Sequence, residues 1–412
     1  MDNIIQNDIK KLFIIGAGAS ADAGIATSRN LFREVILEAI KNDDGFGLER
    51  KADLIIERLK KFYPNFKFSI NDTWPDFEKY FDMVYNFNKA KDFISLDFNK
   101  DKELKGLVEG IDNDAMELLY WYLFTACWNW AGQRSNNYLK MFINKELNRI
   151  DDEIAVISLN YEWLFERIWL LSSKKVDEKF WGDRVEHANM PQIYNPQFEF
   201  PLFKPHGSAN LIIVNKNDEI EITMPYGFSV NNNENRTSKL KINEFFEDWK
   251  VIDKEDDYKL CYCAVPIDSE NSNFKTKLKD LIPGFIPPIG IKGAIGPDVL
   301  IKLLGEKTPK YNLLCKYIKN QLERSVQSIY GVKEEIWLVG TNLMIDPYLF
   351  DHVRLKKIIN PSIKIKFISP EELDANKLVK ELKEIEFYNG TLASYSDLIE
   401  RKEEPKFKKI TC

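Results

Sequence analysis

The chain has 412 residues, enough for two or three domains or for one large core with an insertion. Apolar residues make up 44% and charged residues 30%, and 58 Lys and Arg against 64 Asp and Glu give a net charge of -6. That balance is ordinary for a globular protein and excludes a surface built throughout for nucleic acid.

The N-terminal stretch M-D-N-I-I-Q-N-D-I-K-K has no sustained apolar run and does not read as a secretory signal. Leu12 to Ile15 is a short apolar run ended by Gly16, the pattern of a buried parallel strand. The loop G-A-G-A-S-A-D-A-G follows, and T-S-R-N-L-F-R-E-V-I-L-E-A-I-K then reads as a helix with Leu31, Phe32, Val35, Ile36, Ala39 and Ile40 on one face. Thr27 or Ser28 is placed to cap it. In the loop, Gly16 permits a tight turn and Gly18 a close approach to a pyrophosphate, with helix N–H groups facing the charge. A dehydrogenase would show a second strand ending in an acidic residue roughly 20 positions on. That span is helical here, and Asp43 and Asp44 have no strand ahead of them.

Residues 45–150 read as a largely helical insertion, strongest at Ala52 to Phe62, Phe77 to Phe87 and Asp114 to Trp130. Its aromatics, among them Tyr80, Phe81, Tyr120 and Trp121, suit helix packing better than base stacking, which needs interleaved basic residues. The apolar segment Leu118 to Ala131 is shorter than the ~20 residues that span a bilayer and reads as a buried helix.

Strand patterns resume at residues 153–160, E-I-A-V-I-S-L-N, followed by an amphipathic helix through Leu171. Ile212 to Val214 and Ile220 to Thr223 suggest a hairpin, and Leu260 to Val265, Ile336 to Val339 and Ile363 to Ile368 are further strands. Strands alternating with helices predict an α/β fold: an open, mostly parallel sheet with helices on both faces. The core is expected over residues 1–44 and 151–370, with a β-rich excursion near 210–265 and a helical tail over 371–412.

Three further motifs could carry chemistry, two of them at strand ends, where ligands bind in such a sheet. Asn160, Tyr161 and Glu162 follow a strand, although Asn160 alone also reads as a helix cap. His206, in K-P-H-G-S, sits in a rigid polar turn and suits a general base. Gly340, Thr341 and Asn342 end the strand E-I-W-L-V. The five cysteines, Cys127, Cys261, Cys263, Cys315 and Cys412, form no CxxC pair, which argues for a reducing compartment and a cytoplasmic location, without a zinc site.

In this order, G-A-G-A-S-A-D-A-G-I-A-T-S-R, S-L-N-Y-E, K-P-H-G-S and V-G-T-N-L resemble the sirtuin-like NAD-binding superfamily, whose branches include protein deacylases and bacterial anti-phage NAD hydrolases. I-P-P-I-G-I-K, at 286–292, is similar to a stretch of the bacterial branch. The resemblance implies a Rossmann-like core in which Gly16, Ala17, Gly18 and Ser20 cradle the NAD+ pyrophosphate and Thr27 and Arg29 lie in a covering loop. It gives Asn160 a role at the nicotinamide ribose, His206 the catalytic histidine's place, and Gly340 and Thr341 the adenosine side. Glu162 stands where the family usually has Asp.

Lacking the two CxxC pairs of the deacylases, the chain falls with the NAD+ hydrolases, for which NAD+ is the substrate and no metal is expected. The resemblance further implies a homo-oligomer whose activity is released by a separate activating partner, a helicase-like ATPase or an argonaute-type protein. The competing expectation is an idle subunit that senses NAD+ or ADP-ribose.

Overall fold

The computed structural model describes residues 9–41, 48–63, 74–90, 112–130, 137–147, 153–165, 168, 202–215, 219–223, 237–241, 251–255, 258–262, 282–285, 309–341 and 346–412. The first strand, β1 (Lys11–Ile15), is hydrogen-bonded on both sides, and its Leu12, Phe13, Ile14 and Ile15 are fully buried. It runs beside β2 (Ile154–Ser158) and β10 (Glu335–Val339), and β2 continues to the short β3 (Leu202–Phe203). On the other side come β11 (Lys364–Ser369), β12 (Glu384–Asn389) and β13 (Lys408–Thr411). The order across the sheet is β13-β12-β11-β10-β1-β2-β3, with every pair parallel except β12 with β13. Numbered by chain order, its six parallel strands follow the doubly wound order 3-2-1-4-5-6. The fold is α/β and Rossmann-like, as the strand–helix alternation predicts.

Alternation along each strand feeds two cores. Leu12 and Ile14 pack with Ile336, Leu338, Ile365 and Phe367 under α7 (Pro309–Gly331), α8 (Pro347–Ile359) and α9 (Glu372–Leu382). Phe13 and Ile15 pack on the opposite face with Trp337, Val339 and Ile368. That face is covered by α1 (Gly18–Ala21), α6 (Asn137–Phe142), a π-helical turn (Ile143–Leu147) and α10 (Leu392–Glu400). Burying both faces explains why the inner strands read as unbroken apolar runs.

A third core joins α2 (Ser28–Lys41) to α3 (Leu48–Phe62), α4 (Phe77–Ala90) and α5 (Asn113–Trp130). Leu118, Leu119, Tyr120, Tyr122 and Leu123 are buried there, and no helix among the described residues is long and apolar enough to cross a membrane. Tyr80, Phe81 and Tyr120 are buried packing residues, and Phe32 stacks against Tyr80 with centroids 4.9 Å apart. A buried ionic cluster crosses this core. Arg58 reaches Asp112 at 2.7 Å and Asp114 at 2.9 Å, while the Tyr80 hydroxyl donates to Asp112. Removing the cation strands a carboxylate that is fully buried. Arg58→Ala is therefore expected to destabilise the chain by about 3 kcal/mol, read from denaturant unfolding.

Two sequence expectations are corrected. Ile212 to Val214 lie in β4 (Gly207–Asn215), which pairs with β8 (Tyr258–Tyr262) and β9 (Ile282–Phe285), not with Ile220 to Thr223. The latter lie in β5 (Glu219–Thr223), paired with β6 (Thr237–Lys241), while β7 (Val251–Glu255) pairs with β8. Proximity in sequence suggested the hairpin, but β4 has its partners further along the chain. The segment after residue 370 is also more than a helical tail, since β12 and β13 extend the main sheet. Ile385 and Phe387 point into its core while Glu384 and Glu386 alternate with them. The residues after Ile168 in the predicted helix to Leu171, with Asn342 and the 286–292 stretch, lie outside the described residues.

Candidate functional site

Reversal of the strand order between β1 and β10 opens a crevice at the carboxyl ends of the strands. A cleft of about 350 Å³ lies there, lined by Gly16, Ala17, Gly18, Ser20, Thr27, Asn160, Glu162, His206, Gly340 and Thr341. All four motifs thus reach one cavity. Arg29 lies in α2, and its side chain is outside the described residues.

The two glycine loops interlock. Gly18 N–H donates to the Gly340 carbonyl at 2.8 Å, and Gly16 N–H to Val339 at 2.9 Å. A methyl group on Gly18 would stand 2.7 Å from the Gly340 carbonyl oxygen, and one on Gly16 would stand 2.4 Å from Thr341 Cβ. Glycine at these positions is thus required by the contact between the loops, a reason beyond the phosphate approach that the sequence suggests. The N–H groups of Ala19 and Ser20 are also bonded within the loop, to Gly16 and Ala17 at 2.9 and 3.2 Å. Most of the expected cradle donors hold the loop itself.

Helix α1 is a single turn, and Tyr138 of α6 fastens it by donating to the Ala19 carbonyl at 2.8 Å. Burial, with Asp22 and Glu162 nearby, pushes the Tyr138 phenol well above its ordinary range, so it stays a donor. The longer α2 begins at Ser28, where Leu31 N–H bonds the Thr27 carbonyl at 2.8 Å.

Asn160 is 4% exposed and Glu162 3%. Glu162 is the hub between the glycine loop and the β2 loop. Its Oε1 accepts from the Ser20 hydroxyl and from Asn160 Nδ2, the latter at 2.7 Å, and its Oε2 accepts from Leu164 N–H. Asn160 Nδ2 also lies 3.3 Å from Ser20 Oγ. These bonds fix the face of the Asn160 amide and leave its Oδ1 buried with no partner. Such an orphaned buried acceptor, on a residue that lines the cleft, has the capacity to accept a further hydrogen bond. Lys204 donates to the Glu162 carbonyl at 2.6 Å, so the strand bearing the histidine turn is tied to the same loop.

His206 is 8% exposed, in a turn closed by Gly207 N–H donating to the Lys204 carbonyl at 3.0 Å. Its Nδ1 lies 3.2 Å from the Leu159 carbonyl and its Nε2 2.8 Å from Asp346 Oδ2. Asp346 is 6% exposed and caps α8 with its other oxygen, which accepts from Leu349 N–H at 3.2 Å.

Sequence reasoning assigned no role to Asp346, although Asp before Pro at the start of an apolar helix is a recognisable cap signal. It also missed the insertion's part in the site. Phe77 and Glu78 of α4 and Leu123 of α5 line the cleft. Tyr161 and Ala26 pack on the insertion core, and the Tyr161 ring stands 6.0 Å from His206. Among the described residues no group of three or more His, Cys, Asp or Glu side chains could hold a metal ion. No family model matches the chain, and no curated protein matches its sequence.

Proposed function

We propose that the chain is a sirtuin-like NAD+ glycohydrolase, cleaving the nicotinamide–ribose bond to give nicotinamide and ADP-ribose. The observation that carries this reading is Asn160, a residue lining the cleft whose amide is held on one side by Glu162 and Ser20 and whose Oδ1 is buried without a partner. The bond to be broken already bears a cationic leaving group, so the reaction needs positioning and a nucleophile more than an acid. As it breaks, positive charge develops on the ribose, and nicotinamide departs neutral with the bonding electrons. Water adds at the same carbon and gives up one proton. Asn160 Oδ1 can accept from a ribose hydroxyl or from that water, fixing its approach. His206 is the group placed to manage the proton. The interlocked loops of Gly16, Ala17, Gly18, Gly340 and Thr341 suit the pyrophosphate and adenosine ends of a dinucleotide.

Unrestrained, such an activity would exhaust a cell's NAD+, which fits a regulated effector of anti-phage defence acting in the cytoplasm. The insertion is suited to that regulation because its helices α4 and α5 wall the cleft. Self-association has an available face: Leu355, Ile358 and Ile359 stand 43%, 63% and 70% exposed at helical spacing on α8. A separate helicase-like or argonaute-type partner would supply the trigger.

One observation favours a second reading, an idle NAD+-binding sensor: both His206 ring nitrogens face protein acceptors. Incubation with NAD+ separates the two. The hydrolase releases nicotinamide, and Asn160→Ala and His206→Ala each reduce release by about 10²-fold or more. The sensor binds NAD+ and returns it intact.

A further inference from the structure

We infer that Asp346 is a positioning residue for His206, setting which ring nitrogen takes the proton during cleavage; the catalytic part of this inference rests on the hydrolase reading above. Each Asp346 oxygen has its own task. Oδ1 accepts from Leu349 N–H at 3.2 Å, which seats the carboxylate on the first turn of α8. Oδ2 lies 2.8 Å from His206 Nε2. Pro347 occupies the first helical position, where its fixed φ keeps the turn in place. The carboxylate is therefore held before any ligand binds.

The consequence follows from the donor and acceptor types. A carboxylate accepts, so it selects the form of the ring that carries hydrogen on Nε2. Nδ1 is then the nitrogen left to receive a proton. It faces the carbonyl of Leu159, the residue preceding Asn160, at 3.2 Å. A proton arriving at Nδ1 gains an acceptor in that carbonyl, and the cationic ring gains a counter-charge in Asp346. Both ring nitrogens facing acceptors is the feature that favours an idle sensor, yet the same pair forms a receptacle for one proton. The proton released as water adds would be held on the His206 ring, with Nδ1–H donating to the Leu159 carbonyl and the positive charge balanced by Asp346.

Asp346→Asn tests this, because it keeps the shape and removes the charge. Nicotinamide release is expected to fall by about 10²-fold in kcat, with KM within about threefold. A lost helix cap alone would lower thermal stability without that split. The decisive comparison is a cycle: in a His206→Ala background, Asp346→Asn is expected to cause no further fall in kcat. An equal fall in both backgrounds would overturn the inference. A readout independent of NAD+ keeps its failure apart from that of the hydrolase reading. With 15N-histidine labelling, the His206 ring signals are identified among the chain's three histidines by their loss in His206→Ala. Asp346→Asn is expected to move both ring-nitrogen shifts of the ligand-free protein; unchanged shifts would overturn the positioning role whatever the protein does to NAD+.

Discussion

Glu162→Gln is expected to cut nicotinamide release almost as deeply as Glu162→Ala, by about 10²-fold, although it is nearly isosteric. Donors converge on both carboxylate oxygens: the Ser20 hydroxyl and Asn160 Nδ2 on Oε1, and Leu164 N–H on Oε2. An amide has one acceptor oxygen, so its NH2 must face a donor whichever way it is turned. A buried donor left unpaired costs about 1–3 kcal/mol, and here the cost falls on the groups that orient Asn160. Glu162→Asp keeps the charge but shortens the side chain, and it is expected to be intermediate because one carboxylate must span Ser20, Asn160 and the Leu164 amide. Nicotinamide release by all three variants, beside their thermal midpoints, checks the order. Equal activity in wild type and Glu162→Gln would remove Glu162 as the organiser of the site.

The second large effect concerns the fold around the cleft. Gly340→Ala is expected to destabilise the protein by about 3–5 kcal/mol, combining a left-handed backbone penalty with overpacking. Gly340 has φ +58°, and an added Cβ would stand 2.1 Å from Ala19 N and 2.4 Å from the Gly18 carbonyl carbon. These are backbone atoms, so no side-chain rotation relieves the contact. Gly24→Ala is the control, since Gly24 has φ +89° but nothing within 4 Å of an added Cβ. It is expected to cost about 1 kcal/mol, from backbone conformation alone. Denaturant unfolding of both variants separates the two contributions. Similar losses would mean that the loops are not locked together as the contacts indicate.

The inner sheet was legible because β1, β2 and β10 are buried on both faces and appear as nearly continuous apolar runs, and β11, although it carries Lys364 and Lys366, keeps Ile365, Phe367 and Ile368 buried. Helix α2 was legible from its apolar face. The edge strands were harder. In β12 the burial alternates as Ile385 and Phe387 against charged neighbours, and β13 is mostly exposed, so neither carries the signal of a central strand. Gly16, Gly18, Asn160, Glu162, Gly340 and Thr341 could be proposed as site residues because they stand at or just beyond a strand's carboxyl end, His206 because it sits in a rigid polar turn, and Ser20 and Thr27 only through the family resemblance. Their mutual bonds could not be read. Ser20 and Glu162 are 142 positions apart, and His206 and Asp346 are 140 apart, distances over which no local periodicity carries information. Asp346 also resembled an ordinary helix cap, and it is one; only the fold brings the histidine to its second oxygen.

The fate of NAD+ tests the central claim most directly. Nicotinamide and ADP-ribose should be quantified for the wild-type chain and Asn160→Ala, each assayed alone and with the proteins encoded beside it. Equal amounts of the two products from wild type, with release at least about 10²-fold slower from Asn160→Ala, is the expected result. NAD+ recovered intact from wild type in every mixture, or cleavage indifferent to the loss of the Asn160 amide, would contradict it.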